Sequence, residues 1–169
     1  LTLNTSNPIS ISNSTLRHNR HAPGSGTDAV GAALYIQQGN HLISDTNIHN
    51  NTAQASGNRQ VRGAGVYIAN GSPHILNSSI HENTAIAANL EAFGAGIGIA
   101  AGGTLIENSQ IMSNTLQGGS GNRLRSGAGI GIIGNTTAVI RGNWIAGNTT
   151  NVTGYAGGSI GFNTDARAT

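Results

Sequence analysis

Cysteine and lysine are both absent from this 169-residue chain. Without Cys there is no disulfide framework, which excludes a stapled mini-protein. Aromatic residues are 4% and charged residues 8%, against roughly 25% charged in ordinary domains. The eight Arg exceed the six carboxylates by only two, so the high pI reflects a scarcity of acids rather than a dense basic patch. Nucleic acid is therefore a poor candidate partner. There is no apolar run of about 18 residues and no charged start leading into an apolar stretch, so neither a membrane span nor a signal peptide is read here. What fills the chain instead is 26 Gly, 21 Asn and many Ser and Thr. It starts at Leu1, as a processed mature form or a piece of something longer would, its length suits one domain, and the lack of thiols leans the reading toward the cell exterior.

An internal repeat dominates the pattern. A glycine-led apolar segment recurs as Gly31 to Ile36, Gly63 to Ile68, Gly94 to Ile99, Gly127 to Ile132 and Gly157 to Phe162, at spacings of 32, 31, 33 and 30 residues. Between these copies a second unit runs from Ile43 to Thr52, Ile75 to Thr84, Ile106 to Thr115 and Ile140 to Thr149, with an earlier copy from Ile11 to Asn19. Each repeat holds three short, β-branched or alternating segments and no helical spacing of apolar residues. Three strands in each ~32-residue period, wound continuously, predict an all-β parallel β-helix of about five coils. With coils ~4.8 Å apart, the rod is ~25 Å long. The single domain 1–169 divides into coils 1–30, 31–62, 63–93, 94–126 and 127–156, with a partial coil 157–169.

Alignment of the copies gives four apolar columns. They contain Leu34, Val66, Ile97, Ile130, Ile160; Ile36, Ile68, Ile99, Ile132, Phe162; Ile11, Ile43, Ile75, Ile106, Ile140; and Leu16, Ile48, Ile80, Ile111, Ile145. Each buried side chain is worth about 1.5–3 kcal/mol, so these stacks are the expected core. Two further columns, Asn13, Asp45, Asn77, Asn108 and Asn19, Asn51, Asn83, Asn114, Asn148, fall where the winding turns. Asn tolerates left-handed backbone and its amide can bond the same amide one coil on, so both are read as turn ladders. The segments Ala53 to Arg62, Ala85 to Phe93, Leu116 to Ser126 and Thr150 to Ala156 are read as corner loops. Two of them carry Ser-Gly-Asn-Arg, at Ser56 to Arg59 and Ser120 to Arg123.

The two units resemble the repeats of right-handed parallel β-helix surface proteins, of the polymorphic outer-membrane protein and pectate-lyase-like kinds. The first of these combines a Gly-Gly-Ala-Ile-like tetrad with Phe-x-x-Asn. Here the first tetrad reads Gly-Ala-Gly-Ile/Val or Gly-Ala-Ala-Leu, and the second is Leu16-x-x-Asn19, Ile48-x-x-Asn51, Ile80-x-x-Asn83, Ile111-x-x-Asn114 and Ile145-x-x-Asn148, with Ile or Leu in place of Phe. The resemblance covers nearly the whole chain. It implies a right-handed winding and structural or adhesive work at a cell surface, and supplies no catalytic site.

Polysaccharide-active β-helices need clustered acids, either several around a calcium ion or a carboxyl pair about 5–9.5 Å apart. Asp28, Asp45, Glu82, Glu91, Glu107 and Asp165 put no two in one column of neighbouring coils, so no catalytic residue is assigned. Glu107 aligns with Arg141 as a cross-strand ion pair, and His49 with His81, about 5 Å apart on an outward column. Two imidazoles fall short of the about four ligands of a structural metal site, and no metal or cofactor is implied. Asn-x-Ser/Thr sequons occur at Asn4, Asn13, Asn50, Asn70, Asn77, Asn135, Asn148 and Asn151. They are possible glycosylation sites, although turn ladders followed by Ser or Thr generate such triplets by themselves.

Neither end carries a polar cap. Uncapped coils of one register invite head-to-tail stacking into a filament or surface layer, with Leu1, Leu3, Trp144, Tyr155, Ile160 and Phe162 as the candidate assembly interface. Gly98, Gly131 and Gly161, continued by Tyr35 and Tyr67, are read as a flat outward strip for lateral contact. The expectation is thus a secreted, extracellular or surface structural protein whose partner is itself, with no nucleic acid and no membrane insertion. The alternatives are an adhesin segment binding glycans or a host surface, and a polysaccharide-active enzyme.

Overall fold

The computed structural model describes residues 1–118, 125–134, 136–151, 158–163 and 167–168. Every strand pairs in parallel with its equivalent about 32 residues on, and no helix occurs among the described residues. The first sheet stacks Thr2–Asn4, Leu34–Gln38, Val66–Ile68, Ile97–Ile99, Ile130–Ile133 and Ile160–Asn163. The second stacks Ser10–Ser12, Leu42–Ser44, His74–Leu76, Gly103–Glu107, Thr137–Arg141 and Arg167–Ala168. A third holds Thr15–Arg17, Asn47–His49, Ser79–His81, Gln110–Met112 and Trp144–Ala146. The chain then passes through a fourth sheet, of Arg20–His21, Thr52–Ala55, Thr84–Ala87, Thr115–Gln117 and Thr149–Asn151, and a fifth, of Ala29–Val30, Val61–Arg62, Ala92–Phe93 and Arg125–Ser126.

A full coil therefore contains five strands, not the three expected. The extra two lie in the segments read as corner loops. Ala53 and Ala55, like Ala85 and Ala87, alternate inward with period two, but Ala has weak strand preference and the pattern does not announce itself. These alanines, with Val61, Ala92 and Leu116, pack against Ala64, Ala95 and Ala128 of the glycine-led segments in a second, small-residue core. The remaining corner connections are short, residues 22–28, 56–60 and 88–91 in the three coils described throughout.

The main core consists of the four aliphatic columns. Val66 pairs with Leu34 and Ile97, and Ile75 with Ile43 and Ile106, in unbroken register. Seventeen residues form the buried cluster, with Ile11, Leu16, Ile140, Ile145 and Ile160 packed partly buried at its two ends. Most side chains pointing out of these strands are polar or small, Tyr35, Leu42, Leu76, Leu105 and Trp144 being exceptions, and the alternation keeps the register single-valued, since a one-residue slip would turn a whole column to solvent.

The glycine strip is not a lateral surface. Gly98, Gly131 and Gly161 are buried, Tyr67 is only 5% exposed, and Tyr35 stacks on it at 5.5 Å. The fifth sheet lies over the strip: a Cβ on Gly98 would sit 2.9 Å from Gly63 N, and one on Gly131 would sit 3.0 Å from the Phe93 Cβ. Glycine recurs there because a neighbouring layer of backbone needs the space.

Candidate functional site

The two Asn columns divide the work assigned to both. In the first column Asn13, Asp45, Asn77 and Asn108 have φ of 48–51°, the left-handed geometry expected of a turn. At the second turn the left-handed residue is one earlier, at His18, Asn50, Glu82 and Ser113, and the Asn that follows points inward. Asn83 is fully buried. Its Nδ2 donates to Asn114 Oδ1 and to Ile48 O, both at 3.0 Å, while its Oδ1 accepts from Asn51 N at 3.1 Å and Asn51 Nδ2 at 2.9 Å. Every polar valence is satisfied, as a buried amide requires. The same pattern links Asn19 to Asn51 and Asn114 to Asn148. The glycine-led motif makes room for the amides: a Cβ on Gly96 would lie 2.9 Å from Asn114 Nδ2.

A second ladder escaped the sequence reading. Thr46 N donates to Ser78 Oγ at 3.2 Å, Ser78 N to Ser109 Oγ at 3.1 Å, and Ser109 N to Asn143 Oδ1 at 2.8 Å. The only sequence signal is a small hydroxyl residue after each turn Asn or Asp, easily taken for ordinary loop composition.

The proposed interface residues have different fates. Leu1 is 60% exposed and its amino group donates to Ala33 O, whereas Leu3 is 5% exposed and belongs to the core, because it sits in register on Ile36. Trp144 is 65% exposed: Ile145 takes the inward position on its strand, so Trp144 points away. Phe162 keeps register with Ile132, yet is 47% exposed at the outer edge of the last coil, with Ile160 half-buried beside it. Tyr155 lies outside the described residues. Trp144 is on the third sheet and Phe162 on the first, both on the strand farthest from the N-terminal coil.

On the outer side of the third sheet, His49 and His81 stack with ring centroids 4.9 Å apart and planes within 1°. His18, which carries no motif of its own, joins them edge-on at 6.1 Å from His49. His81 Nε2 lies 3.0 Å from Asn47 Oδ1 and its Nδ1 3.5 Å from Glu82 Oε2. Desolvation, followed by the neighbouring His81, His18 and Arg17, lowers the His49 pKa, while Glu82 opposes the shift. The Glu107–Arg141 pair expected from alignment is formed, and His74 Nε2 adds a contact at 2.8 Å. The Arg141 hydrogen bond is the main cause of a lowered Glu107 pKa. Among the described residues, no group of three or more His, Cys, Asp or Glu is arranged to hold a metal ion.

Of the sequon asparagines, Asn4, Asn13, Asn70, Asn77 and Asn151 are exposed and Asn50 is half-buried. Asn148 is committed to the amide ladder, its Nδ2 donating to Ile111 O, and Asn135 lies outside the described residues. Ser56 to Arg59 is exposed; its counterpart Ser120 to Arg123 is also outside them.

The model of the right-handed beta helix region matches residues 1–166. The chain belongs to the right-handed β-helix family. Its parallel sheets, stacked through about five coils, are what that membership requires. No curated protein and no solved structure matches the chain, so the work of this β-helix must be argued from its own surfaces.

Proposed function

We propose that this β-helix is a structural, non-enzymatic element of a secreted or cell-surface protein, acting as a stiff rod that self-associates coil on coil, head to tail. The observation that carries the reading is the polarity of the amide ladder. Every rung points one way: among the described residues, Asn148 at one end has a backbone N–H and an Nδ2–H without an acceptor, and Asn19 at the other has an Oδ1 without a donor. Donors at one face and an acceptor on the same column at the other are complementary between copies. Edge strands at both ends, with Leu1 and Phe162 exposed, supply backbone pairing and apolar area for the same contact. Because the first and second sheets each hold six strands and the third and fourth five, a flush joint needs the last strands of the first two sheets to yield their places to the first strands of the next copy.

The engagement of the acids supports the non-enzymatic side. Glu107 is held by Arg141 and His74, Asp28 accepts from Gln60 N, and Glu91 accepts from Gln60 Nε2. The surface location is supported by the sparsely charged, Asn-, Ser- and Thr-rich exterior and by the resemblance of the repeats to those of surface proteins.

The test is light scattering and negative-stain imaging of the purified chain over a concentration series. Rods that lengthen with concentration, and shorten when Asn19→Ala removes the acceptor, are expected. A monomer at all concentrations overturns the stacking, as does a native polypeptide whose further coils occupy the same edges; a glycan-binding module would then be the better reading. Release of oligosaccharides from acidic polysaccharides would overturn the non-enzymatic assignment.

A further inference from the structure

The outer row of the third sheet concentrates ionisable nitrogen on one side of the rod. Arg17, His49 and His81 occupy successive positions in register, followed by the neutral Met112. His18 flanks His49 from the adjoining turn, and Arg20, on the first strand of the fourth sheet, lies three residues beyond Arg17 with its Nη2 2.7 Å from Gln54 Oε1. Among the described residues, the one acid facing the row is Glu82, whose side chain is 56% exposed. Arg17, His18 and Arg20 are exposed, and His49 and His81 half-buried, so all five cations are within reach of a ligand.

We propose that this row is an acid-switched binding site for a linear polyanionic polysaccharide, one bearing sulfate or carboxylate groups along its length. With neutral imidazoles, the two Arg against Glu82 leave a net charge of one. Each imidazole of the row that takes up a proton at acid pH adds a charge along the same line. Two parallel rings 4.9 Å apart beside Arg17 repel when protonated, and an anion laid between them relieves that repulsion. Binding and protonation therefore favour one another, as linkage requires.

The geometry selects the class of polyanion. Charges on this row recur once per coil, ~4.8 Å, comparable to the length of one sugar residue in an extended chain, so successive anionic groups can meet successive side chains. Duplex nucleic acid carries a charge every ~1.7 Å and is gripped by many Lys and Arg contacts, whereas this row has two Arg, and the chain has no Lys. The site does not depend on the rods stacking: a monomeric chain would carry it equally.

Dextran sulfate, immobilised and probed with the whole chain at equal ionic strength, tests the proposal. Binding at about pH 5 should be at least ~10-fold tighter than at about pH 7.5. His49→Gln with His81→Gln should remove most of that gain while far-ultraviolet circular dichroism is unchanged, and His74→Gln, on another sheet, should keep it. His49→Arg with His81→Arg should bind at the higher pH as the unmodified chain does at the lower. An absent acid gain, a gain that survives the His49/His81 double substitution, or an equal gain on a single-stranded oligonucleotide would overturn the assignment.

Discussion

Replacing Asn83 with Ala isolates the amide ladder from the aliphatic core. The side chain is fully buried and makes four hydrogen bonds, and its removal leaves Asn51 N–H and one Asn51 Nδ2–H without acceptors inside a packed coil. An orphaned buried donor costs about 1–3 kcal/mol; with the small cavity added, the substitution should destabilise the chain by about 3–5 kcal/mol. Asn148→Ala removes the same two acceptor contacts, this time from Asn114, but in the last coil of that ladder, where Asn148 is half-buried. Water can replace the lost acceptor there, and the expected cost is about 1 kcal/mol. Urea unfolding followed by circular dichroism compares the two, and hydrogen exchange at the Asn51 amide locates the damage. If Asn83→Ala costs no more than Asn148→Ala, the ladder is not a structural spine and the argument built on its polarity fails with it.

Other outcomes follow from the same geometry. Ile97→Ala, in the middle of the core, should cost about 2–5 kcal/mol in urea unfolding, and Ile160→Ala clearly less, because the latter is half-buried in an end coil. Gly131→Val should destabilise by about 1–3 kcal/mol or more, since the added atoms meet Phe93 and the Gly94 backbone; an unchanged midpoint would mean that the fifth sheet does not press on this column. The Glu107 pKa is lowered on folding, so its contribution is present above the unfolded carboxylate pKa and lost as the pH falls through the folded one. Glu107→Gln should accordingly flatten the acid limb of stability against pH. His49, also lowered, has the cationic sign: its unfolded form takes the proton first, so stability is full above about 6.5 and declines below it until the folded imidazole protonates. His49→Gln should remove that decline.

Much of this fold could be read from spacing alone. The columns through Ile43, Ile75 and Ile106 are visible because an aliphatic residue returns every coil, and a repeat of that length with short β-branched segments has few other solutions. The fourth and fifth strands of each coil were hidden because their inward residues are mainly alanine, which carries no strong strand signal. The fate of the glycine strip was hidden for a related reason: a Gly facing solvent and a Gly facing an overlying backbone look the same in one dimension. His18 could not be assigned to the histidine row, since in the alignment it occupies the turn column with Asn50 and Glu82.

The amino-acid order by itself determined the period, the parallel register and the identity of the main core, because these follow from which residues recur and at what interval. Tertiary structure alone decided which face of each column is covered and which of two neighbouring turn residues takes the left-handed backbone. It also decided where buried amides find their partners. Those outcomes depend on layers that approach from distant parts of the winding, and packing distance between layers is not a property of any local stretch of chain.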